Sequence, residues 1–321
     1  MNPLAAAIAA AAADAPAIHI KGPGFVPGRY VLVDGDYLIY GSAGNNETSI
    51  GDARMRLMQK LQDFKAMSGA EHIVLHLTAT GGHKGHRYVA ATIKPYQGNR
   101  SGSSRPKNWE LLRDFCESYK GVVFRQKLWG TREADDGIAL HLRLLHEQGN
   151  EAVVAMKDKD SQMFTGCTHM DWDTFELCHV PRGTYEKENS VGLIYGHKWF
   201  WLQMLAGDTA DHIPGVQQIR GVTKMVQCGM GRAKDALCMS HDNGSAQATV
   251  VKAYIQFYKE GWADAFAENA CLLWMRDDRE ADPIDFLKII QPDAFGTAEI
   301  EEAAQRLALR IKEACDAAAN P

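Results

Sequence analysis

The sequence predicts an α/β fold with a central, mainly parallel sheet, followed by a helical C-terminal region. Three observations carry this. Short β-branched runs recur, helical periodicity fills the gaps between them, and the alternation stops after about Trp199. Strands are expected at Tyr30–Val33, His72–Leu77, Gly121–Phe124 and Ala152–Met156, each a short apolar run bounded by polar or turn residues. Asp52–Met67, Asn108–Tyr119 and Asp136–His146 carry helical spacing between them. Beyond Trp199, Val250–Lys259, Ala263–Met275 and Glu299–Ala318 continue as helices. The last runs from Glu299, Glu301 and Glu302 to Arg306, Arg310 and Lys312, the charge order a helix dipole favours. Trp262, Phe266 and Leu273 form a packing stripe, and Trp199, Phe200 and Trp201 are expected to seat the helical region on the sheet.

Composition narrows the class. The chain has 321 residues, 45% hydrophobic and 23% charged, which excludes a disordered protein. Apart from the Ala-rich start, no stretch approaches the roughly 18 apolar residues a membrane span needs; residues 1–27 are expected to be a flexible tail. Seven scattered cysteines without a CxxC pair point to a reducing cytoplasm. The formal charge of −5 conceals a segregation. From His72 to Trp109 there is no Asp or Glu, whereas Lys84, Arg87, Lys94, Arg100, Arg105 and Lys107 are interleaved with Tyr88, Tyr96 and Trp109. A second acid-free stretch, His212 to Lys234, holds Arg220, Lys224, Arg232 and Lys234. Such mixtures suit phosphate contacts and base stacking, and equally a solvated loop. Residues 81–108 read as a basic mobile insertion.

The acids gather in tight clusters. Asp34 and Asp36 follow the first strand, Glu133, Asp135 and Asp136 open a helix after the third, and Asp158 and Asp160 follow the fourth. Asp208 and Asp211 lie in the Gly207–Gly215 turn. The carboxyl ends of strands in an open α/β sheet face one crevice, so these clusters are expected to converge. Like charges packed together need divalent cations, and an all-oxygen set selects Mg²⁺ or Mn²⁺. Hydrolysis of a phosphodiester fits that chemistry. Asp36 is open between a metal ligand and a turn group.

The chain resembles the structure-specific 5′ nucleases, particularly the bacteriophage 5′–3′ exonucleases and flap endonucleases. The motifs are Val31-Leu-Val-Asp-Gly-Asp36, Arg87 with Pro95-Tyr-Gln-Gly-Asn-Arg100, Glu133-Ala-Asp-Asp136, Lys157-Asp-Lys-Asp160 and Gly207-Asp-Thr-Ala-Asp-His-Ile-Pro-Gly215. The resemblance implies a PIN-like nuclease core over residues 28–198, with 81–108 as an arch-like segment. It implies a helical region over 199–321 with a helix-hairpin-helix-type DNA-binding motif. Asp34, Glu133, Asp135, Asp136, Asp158, Asp160, Asp208 and Asp211 match positions that hold two Mg²⁺ ions directly or through water, with Mn²⁺ able to substitute. Arg87 and Arg100 match cations around the entrance for a 5′ single strand, and Tyr96 an aromatic that can stack on a base. The implied substrate is DNA with 5′ ends, flaps or duplex/single-strand junctions, cut during phage replication in the host cytoplasm. A monomer is expected, and a polymerase partner is left open.

The pattern departs in three places. The family usually has an Asp at the end of its second strand, where Thr78 stands here. Its Tyr-Lys-Gly-Asn-Arg has Gln97 in place of Lys, with Lys94 the nearest expected replacement and Arg100 on the other side. The usual hairpin is degenerate after Pro214-Gly-Val216, and a better one comes at Gly229-Met-Gly-Arg-Ala-Lys-Asp-Ala-Leu237. There Gly229 and Gly231 would let backbone N–H groups approach a phosphate beside Arg232 and Lys234. The rivals are a haloacid-dehalogenase-like phosphatase using Asp34 and Asp36, and a non-catalytic DNA-binding module. A zinc site from Cys167, His169, Cys178 and His179 is weighed against buried thiols and surface imidazoles.

Overall fold

A computed structural model describes residues 23–100, 104–221 and 224–319; most of the Ala-rich start lies outside them. Strands β1 (Val26–Asp34), β2 (Ala70–Thr78), β3 (Arg125–Trp129), β4 (Ala152–Ala155), β5 (Cys167–Met170) and β6 (Leu177–Val180) form one sheet in the order β3-β2-β1-β4-β5-β6. Every pairing is parallel except β5 with β6. Alternation along β1 assigns its faces. Val31 and Val33 pack with Leu57, Phe64 and Leu112 from the helices Ile50–Ser68 and Trp109–Ser118. Leu32 points the other way, into a cluster with Ile138 and Leu142 of the helix Ala134–Glu147.

That second cluster runs on without a break through Phe200 and Trp201 to Phe266, Phe286 and Ile311. Trp199, Phe200 and Trp201 are therefore the packing residues the sequence predicts, and Trp201 also donates to Asn243 Oδ1 at 3.0 Å. Each fully buried large apolar side chain contributes about 1.5–3 kcal/mol. Sheet and helical region thus share one core.

The structure corrects two expectations. The third strand is Arg125–Trp129 rather than Gly121–Phe124. It is an edge strand of mixed polarity, while Val122 is fully exposed in the bend before it. Strands also do not end at Trp199, since Gln218–Arg220 pairs with Met225–Gln227 in a short antiparallel ribbon. Among the described residues no helix is long and apolar enough to cross a membrane.

The basic insertion is anchored along residues 85–99. Glu268 Oε1 accepts from the backbone N–H groups of Thr92 (2.7 Å) and Ile93 (2.8 Å). Arg310, on the last helix Thr297–Ala319, donates to the Ala90 carbonyl at 2.7 Å. Arg276 donates to the Gly85 carbonyl at 2.5 Å, and Asn99 to the Thr209 carbonyl at 2.6 Å.

Candidate metal centre

The strand order reverses at β1 and β4. From β1 the chain proceeds to β2 on one side, from β4 to β5 on the other, so a crevice opens at their carboxyl ends. Asp34 is the last residue of β1 and caps the next helix, accepting from Tyr37 N at 3.1 Å. Gly35 permits this close start, because a Cβ there would stand 2.5 Å from Leu77 and 2.6 Å from the His76 carbonyl. Asp158 follows β4 and accepts from Asp160 N at 3.0 Å. Glu133 and Asp135 enter from the start of the helix Ala134–Glu147, where Thr78 Oγ1 accepts from Ala134 N at 2.9 Å. Thr78 thus works as a helix cap at the site where an acid was expected.

Asp208 and Asp211 come from a turn closed by paired bonds between Asp208 and Ile213. Gly207 sits at φ +71°, and a Cβ there would meet the Pro214 carbonyl at 2.7 Å, so only glycine fits. Asp34, Glu133, Asp135, Asp158, Asp160 and Asp211 line one cavity of about 750 Å³. Asp160, Asp208 and Asp211 bring carboxylate oxygens within 4.8 Å of one another, the only such group of ligand atoms among the described residues. Cys167, His169, Cys178 and His179 form no comparable set; Cys167 and His169 are buried, with the imidazole 3.1 Å from the Phe164 carbonyl.

Charge crowding is visible in the proton affinities. Burial, then Asp36 and Asp158, push Asp34 up to about 7, and burial with Asp158, Asp208 and Asp211 pushes Asp160 up to about 8 despite Lys159. Burial and the surrounding carboxylates hold Asp135 well above its ordinary value. Lys159 Nζ partly compensates, 2.5 Å from Asp208 and 3.3 Å from Asp160. An oxygen-only set whose charges raise one another's proton affinity fits a hard divalent cation.

A stability prediction follows from the sign of these shifts. A carboxyl group whose folded pKa exceeds its ordinary 3.8 favours folding while protonated. That contribution is complete below about pH 4 and disappears as pH rises through the folded values near 7 and 8. In chelator, the melting temperature should therefore fall by several degrees between pH 5 and 8.5, and Mg²⁺ should restore it most at the alkaline end. A flat profile with no Mg²⁺ effect would remove the cluster from consideration as a metal centre.

The remaining expected residues divide. Asp136 is buried outside the cavity, with Arg87 donating to both its oxygens at 2.6 and 2.9 Å and Arg276 N donating at 3.0 Å. Arg87 is correspondingly 1% exposed, not at an entrance, and also donates to the Leu272 and Trp274 carbonyls. Tyr96 is 4% exposed, which removes it from base stacking. Its hydroxyl instead donates to Glu133 at 2.8 Å and approaches Asp211 at 3.2 Å. Asp36 turns to Arg113 at 2.5 Å and accepts from Thr78 N at 3.1 Å. Gln97 lines the cavity and donates to Asp211 at 3.1 Å. Lys94 lines a neighbouring cavity with Asp208, His212 and Gly229. The Arg100 side chain lies outside the described residues.

Gly229 precedes the short helix Met230–Ala236, and among the described residues nothing beyond the chain neighbours and the helix's own backbone lies within 4 Å of a Cβ placed at Gly229 or Gly231. Arg232 and Lys234 are exposed nearby, with Arg232 3.6 Å from Asp235. Sequence reasoning missed Arg113 in the cavity wall and gave Lys84 and Lys159 no separate role there. Both lysines carried a signal, Lys84 in the acid-free basic stretch and Lys159 between Asp158 and Asp160.

No family model matches the chain, and no curated protein matches it either. Solved structures do. The chain is similar to the bacteriophage T5 flap endonuclease in a complex with DNA and metal ions, at 16% identity and TM-score 0.51. That alignment covers 88% of this chain and 99% of the other. A T5 5′-exonuclease with bound zinc matches at the same identity, coverage and TM-score, and a T5 protein crystallised with metal ions at TM-score 0.50. The likeness establishes the fold: a PIN-like α/β core with a mostly parallel six-stranded sheet and a C-terminal helical region.

Proposed function

We propose that the protein is a divalent-metal-dependent 5′–3′ exodeoxyribonuclease with flap endonuclease activity. The carrying observation is the convergence of carboxylates from four separate segments on one cavity at the strand switch point. The shared fold supports it, since the T5 relatives are described as an exonuclease and a flap endonuclease, one holding DNA and metal ions. Asp34, Glu133, Asp135, Asp158, Asp160, Asp208 and Asp211 would hold the ions, with Mg²⁺ the preferred metal and Mn²⁺ a substitute. When bound, a pair of such ions lowers the pKa of an attacking water and stabilises the charge on the reacting phosphate.

The chain's own residues set the stage. Tyr96 fixes the Glu133 and Asp211 carboxylates, and Gln97 holds Asp211 from a second side. Thr78 fixes the start of the helix bearing Asp135. The acid-free stretches and the Gly229–Lys234 segment supply backbone contacts to duplex DNA, which the open glycines leave room for. The phosphatase alternative needs Asp36 as an acid beside Asp34, and Asp36 is instead bound to Arg113. The proposal includes a monomer acting in the cytoplasm on replication intermediates.

The test uses 5′-labelled duplex, flap and single-stranded DNA. Short 5′ products should appear with Mg²⁺ or Mn²⁺ and vanish with chelator. Cleavage persisting in excess chelator, or only from the 3′ end, overturns the reading.

A further inference from the structure

Three of the cations on the cavity wall are paired with carboxylates. Arg113 binds Asp36 and Glu117, Lys157 binds Asp173, and Lys159 binds Asp208 and Asp160. Arg105 stacks over the Trp109 ring at 3.9 Å. Lys84 is held differently. Its Nζ lies 2.9 Å from the neutral Gln97 Oε1, 3.3 Å from Glu133 Oε1 and 5.5 Å from the Tyr88 ring centre. Tyr88 hydroxyl donates to the same Gln97 oxygen at 3.0 Å. A neutral amide and a ring face orient an ammonium without cancelling its charge, and Glu133 offsets it only in part because its other oxygen already pairs with Arg87 at 3.2 Å and accepts from Tyr96 at 2.8 Å.

The backbone fixes this placement. Lys84, Gly85 and His86 have φ of +49°, +63° and +60°, three consecutive left-handed residues, two of which carry side chains. Such a run is costly and persists only where its surroundings impose it. Here Gly85 N donates to the Thr131 carbonyl at 2.9 Å and the Gly85 carbonyl accepts from buried Arg276. A Cβ at Gly85 would run into the Arg276 guanidinium. The turn therefore projects Lys84 over the acidic cavity from a rigid base.

Resting on the nuclease reading, we infer that Lys84 is the cation that contacts the reacting phosphodiester, with Gln97 as its positioning residue. A phosphate entering the cavity replaces the partial Glu133 contact, and the three N–H donors of the ammonium meet its non-bridging oxygens. Charge accumulating on those oxygens in the transition state is then stabilised more than the ground state. Lys94 lines the adjacent cavity beside Asp208 rather than this one.

The experiment compares single-turnover cleavage of a 5′-labelled flap at saturating DNA with affinity measured in Ca²⁺. Lys84→Ala should slow cleavage at least tenfold while DNA affinity changes less than about threefold. Lys84→Arg, and Lys84→Ala combined with Gln97→Lys, should each recover part of the rate. Independently of turnover, bound flap DNA should protect Lys84 from amine acetylation, read by peptide mass spectrometry. Wild-type cleavage with an unaffected Lys84→Ala variant, or acetylation unchanged by DNA, overturns the role of Lys84 alone. A wild-type chain that cuts no DNA overturns the nuclease reading and this inference together.

Discussion

Asp158→Asn should bind flap DNA as the wild type does and cut it at least ~1000-fold more slowly in Mg²⁺. The substitution keeps the shape and removes one charge from the centre of the cluster, where Asp158 acts on Asp34, Asp135 and Asp160 alike. Losing a cation's share of transition-state stabilisation costs several kcal/mol, at tenfold in rate per 1.4 kcal/mol. Stability should move in the opposite sense. Each of those three acids has its proton affinity raised by Asp158, so removing that charge relieves repulsion in metal-free buffer. A variant that melts higher in chelator but does not cut would show a cluster kept for chemistry at a cost in stability. Near-normal cutting would place the active site elsewhere.

Arg87→Met should destabilise the protein by about 3–5 kcal/mol, the range for breaking a buried ion pair from one side. Burial alone would raise Asp136, yet Arg87 beside it, with Arg276, holds the carboxyl below its ordinary range. Without Arg87, a fully buried carboxylate keeps only the Arg276 N–H and must ionise unpaired or take up a proton. The Leu272 and Trp274 carbonyls lose a donor as well. Urea denaturation would measure the loss, and Arg87→Met with Asp136→Leu should recover part of it because the buried Asp136 charge is then gone, while Glu133, which also loses Arg87, keeps Lys84. A change under about 1 kcal/mol for the single variant would show that Asp136 finds another partner.

The sequence carries some of this architecture and hides the rest for physical reasons. β1, β2 and β4 stand where Tyr30–Val33, His72–Leu77 and Ala152–Met156 were expected, because a strand buried on both faces must be apolar throughout. β3 escaped because an edge strand reading Arg-Gln-Lys-Leu-Trp has no such run. The acids were legible as clusters but not by role. Asp135 and Asp136 are adjacent, yet on a helix they point about 100° apart, so one faces the cavity and the other Arg87. Nothing local announces that Arg87 meets Asp136, or that Lys84 meets Gln97, since those partners meet only when the chain folds.

The anchoring of the insertion has a consequence for any attempt to dissect the molecule. Glu268 and Arg310 clasp residues 90–93, and the cluster that begins at Leu32 ends at Ile311. A cut near Trp199 would not release a catalytic half and a binding half. Both fragments would carry raw apolar faces, and the loop bearing Lys84 would lose the Arg276 guanidinium that holds Gly85. The last helix is in this sense a tendon of the acidic cavity, tensioned from the far end of the chain. Trimming it as a dispensable tail should release residues 90–93 and open the shared core at the same time.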